Sequence, residues 1–150
     1  MYCTQADIVE QITADELIQL TDDAGAGSVD SDKVDRAIAD ADSEIDSYCG
    51  ARYGVPFTTV PAMVRKISVD IAVYNLYTRR AALGLPEERK ARYEKAVQFL
   101  RDVARGLASL GSDEPAADAD GGPEATVSKT DRIFSIGRAS KGSSGSLDNY

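Results

Sequence analysis

The chain has 150 residues, enough for one domain with a real core, and carries 17 basic against 25 acidic side chains for a net charge of −8. It contains no histidine, which removes the commonest general base, the commonest transition-metal ligand and the middle member of any Ser-His-Asp or Cys-His arrangement. A chain this acidic is not expected to coat nucleic acid, because phosphates repel it, and no apolar run reaches the roughly 18–20 residues that span a bilayer.

The N-terminus MYCTQADIVEQ has no basic-then-apolar leader pattern, so a soluble intracellular protein is expected. Cys3 and Cys49 make neither a disulfide framework nor a metal spacing, and are read as two free thiols. The charge is unevenly spread. Residues 1–60 hold 3 basic and 13 acidic side chains, residues 61–110 hold 10 and 5, and residues 111–150 hold 4 and 7. Two oppositely charged surfaces on one small domain suggest contact with each other or with a neighbouring copy.

The pattern predicts an all-α fold, a compact bundle of about four helices with a flexible C-terminal arm. The first helical segment carries Ile8, Val9 and Ile12, then continues or restarts at Ala14 with Leu17, Ile18 and Leu20. Thr4 and Thr13 are its candidate N-caps, and Thr13 with Glu16 has capping-box spacing. Glycine, serine and aspartate make residues 21–31 a loop.

The second helix starts after Asp30 or Ser31, with Val34, Ala37, Ile38, Ala41, Ile45, Tyr48 and Cys49 stepping by 3 and 4. The third begins at Pro61 and ends at Gly84. Its apolar positions, among them Met63, Val64, Ile67, Ile71, Tyr74 and Tyr77, cover so much of the circumference that a central place is expected. The fourth starts near Pro86 with Glu87 and Glu88 in its first turn, and its stripe runs from Tyr93 through Val97, Leu100 and Val103 to Leu107 and Leu110.

Residues 1–110 are thus read as the helical domain. Residues 111–128 bury too little apolar surface to offset ordering entropy and are read as a linker. Residues 129–150 form a docking arm, with Arg132, Ile133, Phe134, Ile136, Arg138, Leu147 and Tyr150 as its contact residues.

Several apparent sites dissolve under inspection. Asp30 and Asp32 resemble the start of a calcium loop, but Val34 stands at its fifth position and no glutamate at its twelfth. Asp40 and Asp42 lie two apart on a helix, about 200° around the axis, and cannot share an ion. Gly25 and Gly27 lack the preceding strand and following lysine of a phosphate cradle. Tyr48, Tyr53, Tyr74, Tyr77 and Tyr93 are spaced as core and core-edge residues. No catalytic residue, metal ligand or cofactor is assigned, and no enzyme activity is expected.

What remains are two charged surfaces. Asp35, Asp42 and Asp46 mark an acidic face on the second helix. Arg79, Arg80, Arg89, Lys90 and Arg92, with Lys95 beside them, mark a basic corner between the third and fourth. Each is either solvated or a subunit contact. A second use of the basic corner is to bind DNA, as a small packaging or regulatory module would, although no recognition-helix turn accompanies it. A monomeric interaction domain with a docking tail is a third possibility.

Residues 15–23 (DELIQLTDD), 37–48 (AIADADSEIDSY), 52–56 (RYGVP), Val60-Pro61, 70–77 (DIAVYNLY) and 89–94 (RKARYE) resemble, in order and spacing, the Mu-like phage head–tail connector family. The resemblance covers roughly residues 2–110. It implies a helical adaptor in the virion neck, present in the host cytoplasm during assembly, that forms a ring beneath the portal, typically of about twelve copies. It implies as partners other copies of the chain, the portal protein, a tail or head-completion protein, and packaged DNA that passes through the channel without sequence-specific binding, with no membrane. In such adaptors the C-terminal arm grips the portal. The resemblance implies that role for residues 129–150, which match it in placement and composition.

Overall fold

A computed structural model of the chain describes residues 1–80 and 83–111. Among them are five α-helices and no strand: α1 (Gln5–Gln11), α2 (Ala14–Thr21), α3 (Ser31–Cys49), α4 (Ala62–Arg79) and α5 (Glu87–Ala104). The all-α class read from the sequence is the fold observed.

The first helical segment restarts rather than continues. Ile12 is extended, with its side chain buried, and Thr13 caps a new helix. The capping box sits on the other threonine. Thr4 Oγ1 accepts from the Asp7 N–H at 3.3 Å while the Asp7 carboxylate accepts from the Thr4 N–H at 2.8 Å. Thr13 accepts from the Glu16 N–H at 3.2 Å, but the Glu16 carboxylate turns away to accept a hydrogen bond from the Tyr77 hydroxyl. A tertiary partner has displaced the reciprocal half of the box. Burial, together with Glu16, pushes the Tyr77 phenol up to about 12.

The loop after α2 is an organised corner. Asp22 accepts from the N–H groups of Ala24, Ala26 and Gly27 at 3.1, 2.9 and 2.7 Å, a path that Gly25 and Gly27 allow with φ of 73° and 72°. Thr21 donates to Leu17 O and accepts from the Asp30 N–H, and Asp30 caps α3 through the Lys33 N–H.

Along α3, Val34, Ile38, Ala41, Ile45 and Cys49 are fully buried, as their spacing requires. α4 is the central helix. It packs on α3 and α5 and is flanked by α1 and α2, so every residue from Ile67 to Val73 is buried. It ends earlier than its pattern suggests, at Arg79, because Arg80 leaves helical dihedrals and donates to the carbonyls of Gln19 and Asp22.

α5 also stops short of the expected stripe. Gly106, at φ 79°, turns the chain left-handed beside the Arg52 guanidinium, and the Leu107 N–H bonds back to Asp102 O. Leu107 is therefore 75% exposed. Leu110 returns to the core, where its N–H donates to the Tyr53 hydroxyl at 3.1 Å. Arg52 completes this end by donating to Val103 O, a cation set against a helix C-terminus. Cys3 and Cys49 are both free and buried.

The corner carries a pH dependence whose sign is fixed by its carboxylates. Asp22, Asp23 and Asp30 are held below the usual carboxylate range: Asp22 by backbone N–H groups, Asp23 by Arg79 and Lys33, and Asp30 by Lys33. A folded pKa below the unfolded one contributes stability that is present above the unfolded value of roughly 4 and lost as pH falls through the folded value. Amide NMR shifts of Ala26 and Gly27 are expected to report a midpoint below the ordinary aspartate value, with the corner loosening there before the helices melt. An ordinary midpoint contradicts the bonding described.

Candidate interaction surfaces

The two charged faces read from the sequence are largely engaged within the chain. Asp42 accepts the Tyr2 N–H through both carboxylate oxygens, at 3.2 and 3.0 Å, and the Ser68 hydroxyl at 3.1 Å. Asp46 accepts a hydrogen bond from the Tyr2 hydroxyl, and the same phenol oxygen accepts the Phe57 N–H at 3.2 Å. The Tyr2 and Phe57 rings meet edge to face, 5.5 Å between centroids. Burial and the two aspartates raise the Tyr2 phenol well above its ordinary value, so it is a proton donor at any working pH. Two residues placed on an outward acidic face therefore moor the N-terminal segment to α3. Asp35 alone of the three is exposed.

The basic corner is wired in the same way. Arg79 grips Asp23 with two bonds, 2.8 and 3.0 Å, and donates to Leu20 O. With Arg80 it fastens the loop after α2 onto the end of α4. Arg89 donates to Gln11 O at 3.3 Å. Lys90 lies 3.9 Å from both Glu87 and Glu94 along its own helix. Arg92 bonds Glu88 at 3.1 Å and stands 3.9 Å from the buried Asp70, which also accepts from the Gln11 side chain at 2.6 Å. Such pairs on an exposed surface are worth little each. Arg79, Arg80 and Arg89 are thereby turned onto neighbouring segments, while Lys90 and Arg92 stay exposed. The contact residues assigned to the arm, Arg132, Ile133, Phe134, Ile136, Arg138, Leu147 and Tyr150, lie outside the described residues.

Further charge faces outward away from that corner. Asp32, Asp35 and Asp40 are exposed on α3, and Lys66 on α4 and Lys95 on α5 are exposed with no ion pair among the described residues. Lys66 and Lys95 rim a groove of about 420 Å³ between α4 and α5, with Arg92 beside them. Its floor and walls are Met63, Ile67, Ala96 and Phe99, and Asp70 closes one end. A second hollow of about 410 Å³ runs on the other side of Lys66, between α1 and the start of α4. Sequence reasoning passed over the groove because its apolar members read as core. Met63 at 40% exposure was the signal that the stripe outruns its cover. Mixed apolar floor and cationic rim suit a protein segment bearing carboxylates more than a small substrate.

Comparison with known proteins gives a match over most of the chain. The model of the family described as Bacteriophage Mu, Gp36 matches residues 2–129. Among curated relatives, the Mu-like prophage FluMu protein gp36 of Haemophilus influenzae is 36% identical over 111 residues, 74% of this chain and 76% of that protein. Gene product J of Escherichia phage Mu is 29% identical over 136 residues, 89% of this chain and 94% of that protein.

Proposed function

This chain belongs to the bacteriophage Mu Gp36 family, and from that membership we propose that it is a structural head–tail connector, a ring-forming adaptor below the portal that extends the DNA channel and joins head to tail. The observation that carries the reading is the extent of the match. It spans the whole helical domain rather than one motif, which supports carrying a phage structural role over to the domain as a whole.

The physical picture supports it. A ring closed by repeated head-to-tail contacts needs two different, complementary surfaces on each subunit, whereas a two-fold dimer needs one self-complementary patch. An acidic outer side on α3 and a cation-rimmed groove on α4 and α5 are two such surfaces. The role is binding rather than catalysis, in the virion neck and, before that, in the host cytoplasm. Its partners are other copies of the chain, the portal, a tail-side or head-completion protein and the DNA threaded through the ring.

The rival reading, a DNA-associated module working through the helix corner, is weakened by the bonds that occupy Arg79, Arg80 and Arg89. Co-sedimentation with purified portal complexes of the same phage separates the two. Saturable binding that ignores added duplex DNA is expected. Binding to DNA alone, falling steeply with salt and lost on charge reversal of Arg79, Arg80, Arg89 and Lys90, overturns the connector reading.

A further inference from the structure

We propose that the α4–α5 groove of one copy seats the outer side of α3 from the next copy; this rests on the ring reading above and names its contact. The groove is lined by α4 and α5 alone. The remaining flanks of α4 face α3 and the short helices α1 and α2. Between α4 and α5 the bundle therefore has a place for one more helix, with Ile67 and Ala96 buried at its base and Met63 partly uncovered at its mouth.

The occupant is identified by its cross-section. At 100° per residue, the side of α3 opposite its buried stripe is centred on Ala39, Ser43 and Ser47, with Asp35 on one flank and Asp40 on the other, about 140° apart. All five are exposed. From Ala39 to Ser47 small side chains at the centre let the helix axis come close, with Arg36 on the same line at the N-terminal end, and the two carboxylates straddle the stripe. The groove offers the complement: an apolar floor, Lys66 on the α4 rim and Lys95 with Arg92 on the α5 rim. Carboxylates on both flanks thus meet cations on both rims.

One more pair sets polarity. Arg36 is exposed one turn before Ala39, and Asp70 is the carboxylate that closes the groove. Placing Arg36 at the Asp70 end runs the incoming α3 antiparallel to α4. Seven residues along each helix, roughly 10.5 Å, then bring Ser43 opposite Met63. Since α3 turns its apolar stripe to α4 and α5, its outer side and the groove lie on different sides of the bundle, as a head-to-tail contact requires.

The test uses the full chain with single cysteines at Ser43→Cys and Met63→Cys, both exposed positions, while Cys3 and Cys49 stay buried. Circular dichroism first confirms that each variant is folded. Under oxidation, or with a short bis-maleimide, a mixture of the two variants is expected to give a cross-linked dimer. Either variant alone gives at least tenfold less, and the double variant gives a ladder. Lys66→Glu with Lys95→Glu should remove the mixed dimer, and Asp35→Lys with Asp40→Lys on the other partner should restore it. No mixed dimer, free or on portal complexes, overturns the proposal, as does equal dimer from a single variant, which marks a two-fold contact. So does protection of Met63→Cys by portal alone, which assigns the groove to the portal. Rings on the portal without this cross-link would sink the contact and spare the connector. A ladder without portal binding would do the reverse.

Discussion

Ile71→Asp is expected to leave the chain without a cooperative thermal transition, and Ile45→Asp to do the same. Both side chains are fully buried, Ile71 at the middle of α4 and Ile45 on α3 where those helices pack. Losing a buried isoleucine forfeits about 1.5–3 kcal/mol of burial. An unpaired carboxylate among apolar atoms adds several more, or is protonated at a similar cost. A domain of about a hundred residues has on the order of 5–15 kcal/mol in hand, so the sum removes most or all of it. Ile71→Val, which keeps the shape and loses one methylene, is expected to cost only about 1 kcal/mol. A soluble Ile71→Asp protein with unchanged helical signal and melting would remove that position from the core.

Removal of residues 129–150 is expected to leave the helices intact and to reduce attachment to portal complexes by at least a hundredfold, about 2.7 kcal/mol. The buried cluster among the described residues runs from Tyr2 to Leu110, and its pieces are fastened to one another. Tyr2 is held by Asp42 and Asp46, the loop after α2 by Arg79, and the end of α5 by Arg52 and Tyr53. The described part of the core is thus fastened by its own residues. The apolar group Ile133, Phe134 and Ile136, flanked by Arg132 and Arg138, instead has the composition of a docking sequence. Melting of the truncated and full chains should therefore agree. A truncated chain that unfolds makes residues 129–150 part of the core, and one that still binds portal fully removes them from the contact.

These two predictions draw on different depths of sequence information. The buried face of α3 was legible residue by residue, because a helix repeats every 3.6 residues and that repeat is local. The central place of α4 followed from the same reasoning. The restart at Thr13 was half visible, since both threonines announced caps, but which one closed a box depended on whether Glu16 found Tyr77, 61 residues away. Leu107 was misplaced because Gly106 ended the helix and the periodic pattern ran on past it.

The charged faces were the hardest to read for the same reason. Asp42 lies 40 residues from Tyr2, and Arg79 lies 56 from Asp23. A helical wheel puts Asp42 and Arg79 outside, and only the packing reveals that they meet Tyr2 and Asp23, which lie off the helices. Asp35, Lys66 and Lys95 are among the exposed charges with no ion pair among the described residues, so the candidate surface moved from the helix corner to the groove.

Electron micrographs of the purified chain mixed with purified portal complexes test the central claim most directly. The connector reading predicts extra density in a closed ring, coaxial with the portal and continuing its channel, absent when the chain is omitted. Portal complexes left bare at saturating chain, while the chain collects on duplex DNA, would contradict it.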